Sequence, residues 1–322
     1  MEGKPATPPK RLATLVGCNY AGTPHELRGC INDVLGMRDL LVARFGFAAG
    51  DVAVLTDDAR GAGAVLPTGA NIKRALGDMV ARAAPGDVLF FHYSGHGALV
   101  PPVMPEHRGR GREDEAIVPC DFNLITDVDF RAVVDRVPHG ASLTMVSDSC
   151  HSGGLIDNEK EQVGPDSVAD LAASNARTLR ARFIPYDALV EHLAGASGVD
   201  ASHHAGDHLL ALFGADASAK FHHKHRHRHD STPPAPRLDD EGILLSGCQT
   251  DETSADAFLR GKACGAFSNA LQGVLAAHPA PMSNREVVTR ARAVLAQQGF
   301  QQHPCLYCSD ANADKPFLCQ QA

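Results

Sequence analysis

The sequence predicts an α/β protein: a mostly parallel central sheet flanked by helices. Two observations carry that prediction. Short apolar runs of strand length alternate with stretches whose apolar residues recur at helical spacing. The chain, 322 residues with 44% hydrophobic side chains, is also long enough to bury the core such a sheet needs.

The first strand is read at Leu12 to Val16, an apolar run stopped by Gly17, and a helix follows over Cys30 to Phe45, where Ile31, Val34, Leu35, Leu40, Leu41 and Phe45 recur at helical spacing. Asp51 to Leu55 is the second strand. Thr68 is placed to cap a helix running through Ile72, Leu76, Met79 and Val80. Asp87 to Tyr93 is the third strand, Asp127 or Asp129 opens a helix reaching Val137, and Ser142 to Ser147 is the fourth strand. From about Asn158 to Arg237 the pattern lapses into small and polar residues, with a proline cluster at 233–236 and a histidine-rich tract from His222 to His229. Regular patterning returns with a strand at Gly242 to Gly247, helices over Ala263 to Ala277 and Asn284 to Gln298, and a last strand near Pro304 to Cys308. The chain therefore divides into 1–156, a linker 157–240 that is partly disordered, and 241–322, which completes the sheet.

Several functions are disfavoured by composition. The apolar runs stop far short of the roughly 20 residues that cross a bilayer, and the N-terminus has no apolar segment typical of a secretory signal. Synthesis in the cytosol is the expectation. Nine scattered cysteines do not read as a secreted disulfide framework. With no Trp, four Tyr and no basic stripe, a nucleic-acid role has little support. The net charge is −8, and the 17 histidines outnumber it, so their protonation would reverse its sign.

Reactive groups in an open α/β sheet gather at the carboxyl ends of its strands. His96 follows the third strand and Cys150 the fourth, each in a glycine-rich turn. A thiol beside an imidazole can form a thiolate that attacks a carbonyl, while the imidazolium protonates the leaving amine. The N–H groups of Gly97 and Cys150 are candidates to hold the resulting oxyanion. Taken alone, a cysteine at a strand end is usually inert core and a histidine a satisfied polar residue. Their joint placement on neighbouring strands weighs against that reading. A phosphatase loop also starts with a cysteine after a strand, but it needs an arginine six residues later, where this chain has Ile156.

His92-Tyr-Ser-Gly-His-Gly97, Asp114-Glu-Ala-Ile-Val-Pro119 and Asp148-Ser-Cys-His-Ser-Gly-Gly154 resemble the metacaspase family. The likeness extends through Gly29 to Asp33, the long linker, Ser246 to Asp256 and Gly265 to Asn269, in the pattern of plant type II metacaspases. It implies a caspase-like fold in a single catalytic domain and a cysteine endopeptidase of programmed cell death or stress responses, generally monomeric. It also implies an acidic pocket for Arg or Lys built from Cys30, Asp33, Ser94 and Asp148. Two carboxylates facing a guanidinium or ammonium would give charge-assisted recognition, although Asp33 could instead cap its helix and Asp148 orient the cysteine loop. Rival readings are a caspase-fold peptidase of Asn or Asp preference and a catalytically silent scaffold.

Metacaspases mature by cutting their own linker after a basic residue. Arg177, Arg180, Arg182 and Lys220, with the basic residues of the histidine tract, are the candidates. Arg182, just before a helix-like stretch, resembles the position cut in the family's nearest members. Many metacaspases need calcium, held in plant relatives by an acidic run after the His-Gly pair. Between Ala98 and Arg112 this chain has one acid, Glu106, against Arg108, Arg110 and Arg112, a poor cage for a cation that takes six to eight oxygens. Glu113, Asp114, Glu115 and Asp121 remain as a residual site. The nearer resemblance is to the calcium-independent, acid-optimum branch, so no cofactor is expected, and an acid optimum would suit a vacuole or the extracellular space. The histidine tract reads as a solvated segment, an adventitious metal binder or a pH sensor. Cys305 and Cys308 form a lone CxxC, read as strand core ahead of zinc or redox use.

Overall fold

The computed structural model describes residues 8–58, 65–101, 114–150, 153, 155, 160–164, 180–199, 202–222, 242–249 and 252–318. The amino-terminal part holds β1 (Arg11–Gly17), α1 (Cys30–Arg44), β2 (Val52–Thr56), α2 (Gly69–Ala81), β3 (Val88–Ser94), β4 (Gly97–Val100), β5 (Asp114–Ile117), β6 (Ile125–Thr126), α3 (Asp127–Val134) and β7 (Ser142–Asp148). The middle holds β8 (Glu161–Val163), β9 (Arg180–Ala181), α4 (Tyr186–Ser197), α5 (Ala205–Phe213) and α6 (Ala219–His222). The carboxyl-terminal part holds β10 (Ile243–Ser246), β11 (Ala255–Leu259), β12 (Lys262–Gly265), α7 (Ala266–Ala277), α8 (Asn284–Gln297), β13 (Cys305–Tyr307) and α9 (Asp310–Ala313).

The main sheet has seven strands in the order β2-β1-β3-β7-β10-β13-β8. Pairing from β2 to β10 is parallel, and β13 pairs antiparallel with both β10 and β8. Successive strand residues face opposite sides of the sheet, and both sides are covered. Leu89, Phe91 and Tyr93 join the apolar cluster under α2 and α3, whereas Val88 and Phe90 join the one under α1, α7 and α8. That is why β3 reads as a continuous apolar run.

Local signals set the helix ends. Thr68 accepts a hydrogen bond from Asn71 N at 3.2 Å, as its position before α2 predicts. Thr126 caps α3, with Asp129 reaching back to its N–H at 2.9 Å, so the helix opens at Asp127 and ends at Val134, short of Val137. The helix expected from Ala263 starts instead at Ala266, because 262–265 pairs with β11 as β12.

Two small sheets complete the fold, β4-β5-β6 and β12-β11-β9. Within the span read as linker, α4, α5 and α6 are folded elements. Leu189, Leu193, Leu209 and Phe221 are buried in the same cluster as α2 and α3. The prolines at 233–236 and the histidine tract beyond His222 lie outside the described residues.

Candidate active site

Parallel register brings the strand ends together. Ser94 of β3 pairs with Asp148 of β7, so His96 and Cys150 each lie two residues beyond a matched pair. The turns meet closely. A Cβ at Gly97 would overlap the Cys150 carbonyl, so only glycine fits there.

His96 is almost fully buried. Its main chain is gripped by two phenols: the His96 N–H donates to the Tyr20 hydroxyl at 3.0 Å, and the Tyr93 hydroxyl donates to the His96 carbonyl at 2.7 Å. Its Nε2 lies 2.8 Å from the His25 carbonyl oxygen. A carbonyl only accepts, so it fixes the Nε2–H tautomer and leaves the basic lone pair on Nδ1, which has no hydrogen-bond partner among the described residues. Burial, and secondarily the charges of His25 and Arg182, depress the His96 pKa to about 4 against the favourable bond to His25. The imidazole is therefore neutral and able to take a proton. The Cys150 sulfur accepts the Ser254 N–H at 3.0 Å and lies 3.7 Å from the Ser254 carbonyl oxygen, to which its thiol donates.

The cleft is filled by the chain's own residues 180–184. Arg180 and Ala181 pair antiparallel with Asp256 and Ala255 of β11. Arg182 donates its N–H to Ser254 O at 2.9 Å. The Arg182 carbonyl oxygen accepts from Gly97 N at 3.0 Å and from Cys150 N at 3.2 Å. Two converging N–H groups on a carbonyl beside a thiol and a neutral imidazole are the set a thiol-based acyl transfer requires.

The Arg182 side chain, 0% exposed, enters a pocket of carboxylates. Nη2 meets Asp33 at 2.8 Å and Asp256 at 3.0 Å, and Nη1 meets Asp148 at 3.3 Å and the Ser94 hydroxyl at 2.8 Å. Cys30 lies beside this group, its pKa raised well above the ordinary value, chiefly by burial. Gly265 closes the pocket, where a Cβ would collide with both Asp148 and Arg182. Burial alone would discourage the Arg182 charge, but the joint attraction of the carboxylates of Asp148, Asp33 and Asp256 outweighs it and holds the pKa well above normal. Burial likewise pushes Asp33 and Asp148 up, and the guanidinium only partly offsets it.

All four residues read as a basic-residue pocket, Cys30, Asp33, Ser94 and Asp148, thus surround one guanidinium. Asp33 does not cap α1. Its carboxylate accepts from Gly265 N at 2.9 Å and from Ser94. Asp148 accepts from Ser268 N at 2.7 Å. Asp256 was missed by sequence reasoning. A lone acid within Ala255 to Leu259, otherwise apolar, was the one available signal, since a carboxylate buried in a strand demands a partner.

The residual metal candidates do not converge. Asp114 pairs with Lys220 at 2.8 Å, and Lys220 also pairs with Asp127 at 2.7 Å. Asp121 accepts from Gly69 N and Asn123 N, Glu115 is buried on β5, and Glu113 lies outside the described residues. Among the described residues no cluster of three or more His, Cys, Asp or Glu is arranged to hold a metal ion. Cys305 in β13 and Cys308 just beyond it are both buried. No described helix is long and apolar enough to cross a membrane.

Residues 10–315 match the caspase-domain family. Metacaspase-9 of Arabidopsis thaliana, a type II metacaspase, is 53% identical over 321 residues, covering 97% of each chain. Metacaspase-7 of the same plant is 37% identical over 96% of this chain and 100% of its own. A crystal structure of a Geobacter sulfurreducens protein superposes with TM-score 0.60 at 21% identity, covering 95% of this chain and 97% of that one, a likeness of fold alone. The chain belongs to the caspase-domain peptidases and, among them, to the metacaspases, and is a cysteine-type peptidase.

Proposed function

We propose that the protein is an endopeptidase cutting after Arg or Lys, made as a zymogen that processes itself at Arg182. One observation carries this reading: the Arg182 side chain lies in the acidic pocket while its carbonyl meets the N–H groups of Gly97 and Cys150. In this reading Cys150 gives its proton to His96 Nδ1, and the thiolate attacks the Arg182 carbonyl carbon. The oxyanion is held by the two N–H groups, each typically worth about 3 to 4 kcal/mol. The imidazolium then protonates the Phe183 nitrogen, the carbon–nitrogen bond breaks, and Cys150 carries the Arg182 acyl group as a thioester. Water, deprotonated by His96, releases the Arg182 carboxylate and restores the thiol.

Cys30, Asp33, Ser94 and Asp148, joined by Asp256, form the specificity pocket. Vacated, it would leave three buried carboxylates without a cation, which is why a basic side chain is its ligand. Arginine is preferred to lysine, because the guanidinium reaches the three carboxylates with two nitrogens, Nη2 to Asp33 and Asp256 and Nη1 to Asp148, where an ammonium has one nitrogen. Residues 1–156 and 241–322 form the large and small catalytic regions, and 157–240 is the processed linker. Lys220 pairing with Asp114 and Asp127 supports activity without calcium, and a His96 that burial keeps neutral supports a base that works in mild acid. The family resemblance supports monomeric action in cell death or stress responses, in the cytosol, vacuole or extracellular space.

The test is to follow processing of wild type, Cys150→Ala and Arg182→Ala in excess chelator. A fragment beginning at Phe183, formed by wild type only, is the expected result. Cutting at an unchanged rate in Arg182→Ala, or a complete loss that calcium restores, would overturn the corresponding part.

A further inference from the structure

The strand that fills the cleft continues past the scissile bond, and its next inward-facing residue occupies a defined place. Arg182 and Ile184 are buried, Phe183 is half-buried between them and Pro185 is exposed. This is the alternation of an extended strand. Gly97 fixes its register with two bonds, donating its N–H to Arg182 O at 3.0 Å and accepting the Ile184 N–H on its carbonyl at 3.0 Å. The bridge between Gly97 and Phe183 is parallel, so the chain leaves the cut along β4. Ile184, 0% exposed, belongs to the same apolar cluster as Ala98 and Val100 of β4 and Leu189 of α4.

We propose that the enzyme has an apolar subsite for the second residue after the cut (P2′), bounded by β4, which takes an aliphatic side chain and reads its N–H through the Gly97 carbonyl. The substrate class is thereby narrowed from any exposed Arg or Lys to Arg or Lys followed, one residue on, by Ile, Val or Leu. This inference rests on the reading of 180–184 as a bound substrate. The two recognition elements are chemically independent: a charge pocket before the cut, and an apolar pocket with one backbone bond after it. Because Gly97 serves both the P1 carbonyl and the P2′ amide, a residue that seats well at P2′ also aligns the carbonyl that reacts. The effect should therefore appear in kcat as well as in KM.

Self-processed full-chain enzyme would be given internally quenched peptides with Arg at P1 that differ only at P2′: Ile, Val, Ala, Asp or N-methyl-Ile. Ile and Val are expected to be cut about equally, with kcat/KM about 10-fold lower for Ala and lower still for Asp. N-methyl-Ile keeps the side chain and loses the bond to Gly97, so it should fall below Ile. Equal rates for Ile, Ala and Asp would remove the subsite while leaving the Arg182 reading intact. That outcome would also follow if the enzyme's own Ile184 stayed seated after the cut, and it would equally overturn a role in substrate choice. If no peptide with Arg at P1 is cut, the underlying reading fails and the subsite fails with it.

Discussion

Asp256 is bound from three directions. Its oxygens accept the N–H groups of Arg28 and Gly29, both at 3.0 Å, and the Arg182 guanidinium at 3.0 Å. It therefore ties the approach to α1 to the basic-residue pocket. Asp256→Asn removes one charge and leaves a single acceptor oxygen for the two backbone N–H groups, and a hydrogen bond to a charged group contributes about 1.5–3 kcal/mol. The expected result is a ten- to hundredfold loss of kcat/KM on Arg peptides, carried mainly by KM. An unchanged KM would show that Asp33 and Asp148 suffice. Acid acts on the same pocket. Burial has raised Asp33 and Asp148, so falling pH neutralises them at a higher pH than ordinary carboxylates and weakens Arg binding. His96, held at about 4, stays neutral further into acid. Separate pH profiles of kcat and KM should show KM rising first on acidification, with kcat sustained to about pH 4. A kcat limb near pH 6.5, the ordinary histidine value, would contradict the burial argument. Of this site, His96 and Cys150 were legible because each ends a long apolar strand. Tyr20, Ser254 and Asp256 were not. Tyr20 and Ser254 reach the site by chain crossings that leave no local pattern, Ser254 through a backbone N–H that any residue but proline would supply, and Asp256 showed only as an acid in an apolar strand, with no sign of its partner.

Among the elements, the long strands and the amphipathic helices could be read directly, because a run of five to seven apolar residues or a 3.6-residue period is itself the signature of burial. The short strands β4, β5, β6, β8, β9 and β12 could not. They span two to four residues each, and their pairing is decided by partners distant in sequence. β11 shows what such an element does, since its edge receives residues 180 and 181. Its entry is stapled by Gln302, which donates to Gly247 O at 2.9 Å and accepts from Ala255 N at 3.0 Å while almost fully buried. Gln302→Ala strands two backbone groups, at about 1–3 kcal/mol each, and frees the strand to shift. Tm should fall. In addition, kcat/KM should drop more for a tetrapeptide that pairs with β11 than for a single-residue Arg amide that does not. An equal drop on both would mean that Gln302 supports stability alone.

At the scale of the whole molecule, the proposed cut after Arg182 would divide the covalent chain without dividing the sheet. β7 and β8 lie upstream of the cut, and β10 and β13 downstream. The order β7-β10-β13-β8 places both downstream strands between the two upstream ones. Separating the pieces would break the β7–β10 pairing, the β13–β8 pairing and the bonds from Arg285 to Gln162 O at 2.9 Å and from Arg292 to Gly164 O at 2.7 Å. It would also expose the faces that α4, α5 and α6, all downstream, bury against the upstream core. Loss of so much apolar contact outweighs the translational freedom that two separate pieces would gain, estimated for association at roughly 4–15 kcal/mol. Processed enzyme should therefore run as two bands in denaturant but elute natively as one species at the position of the uncut chain. Its unfolding, now a dissociation as well, should acquire a Tm that rises with protein concentration, which the uncut chain lacks. Two native peaks would mean that the interleaved sheet does not hold the halves together, and that activity after processing must come from a rearranged molecule.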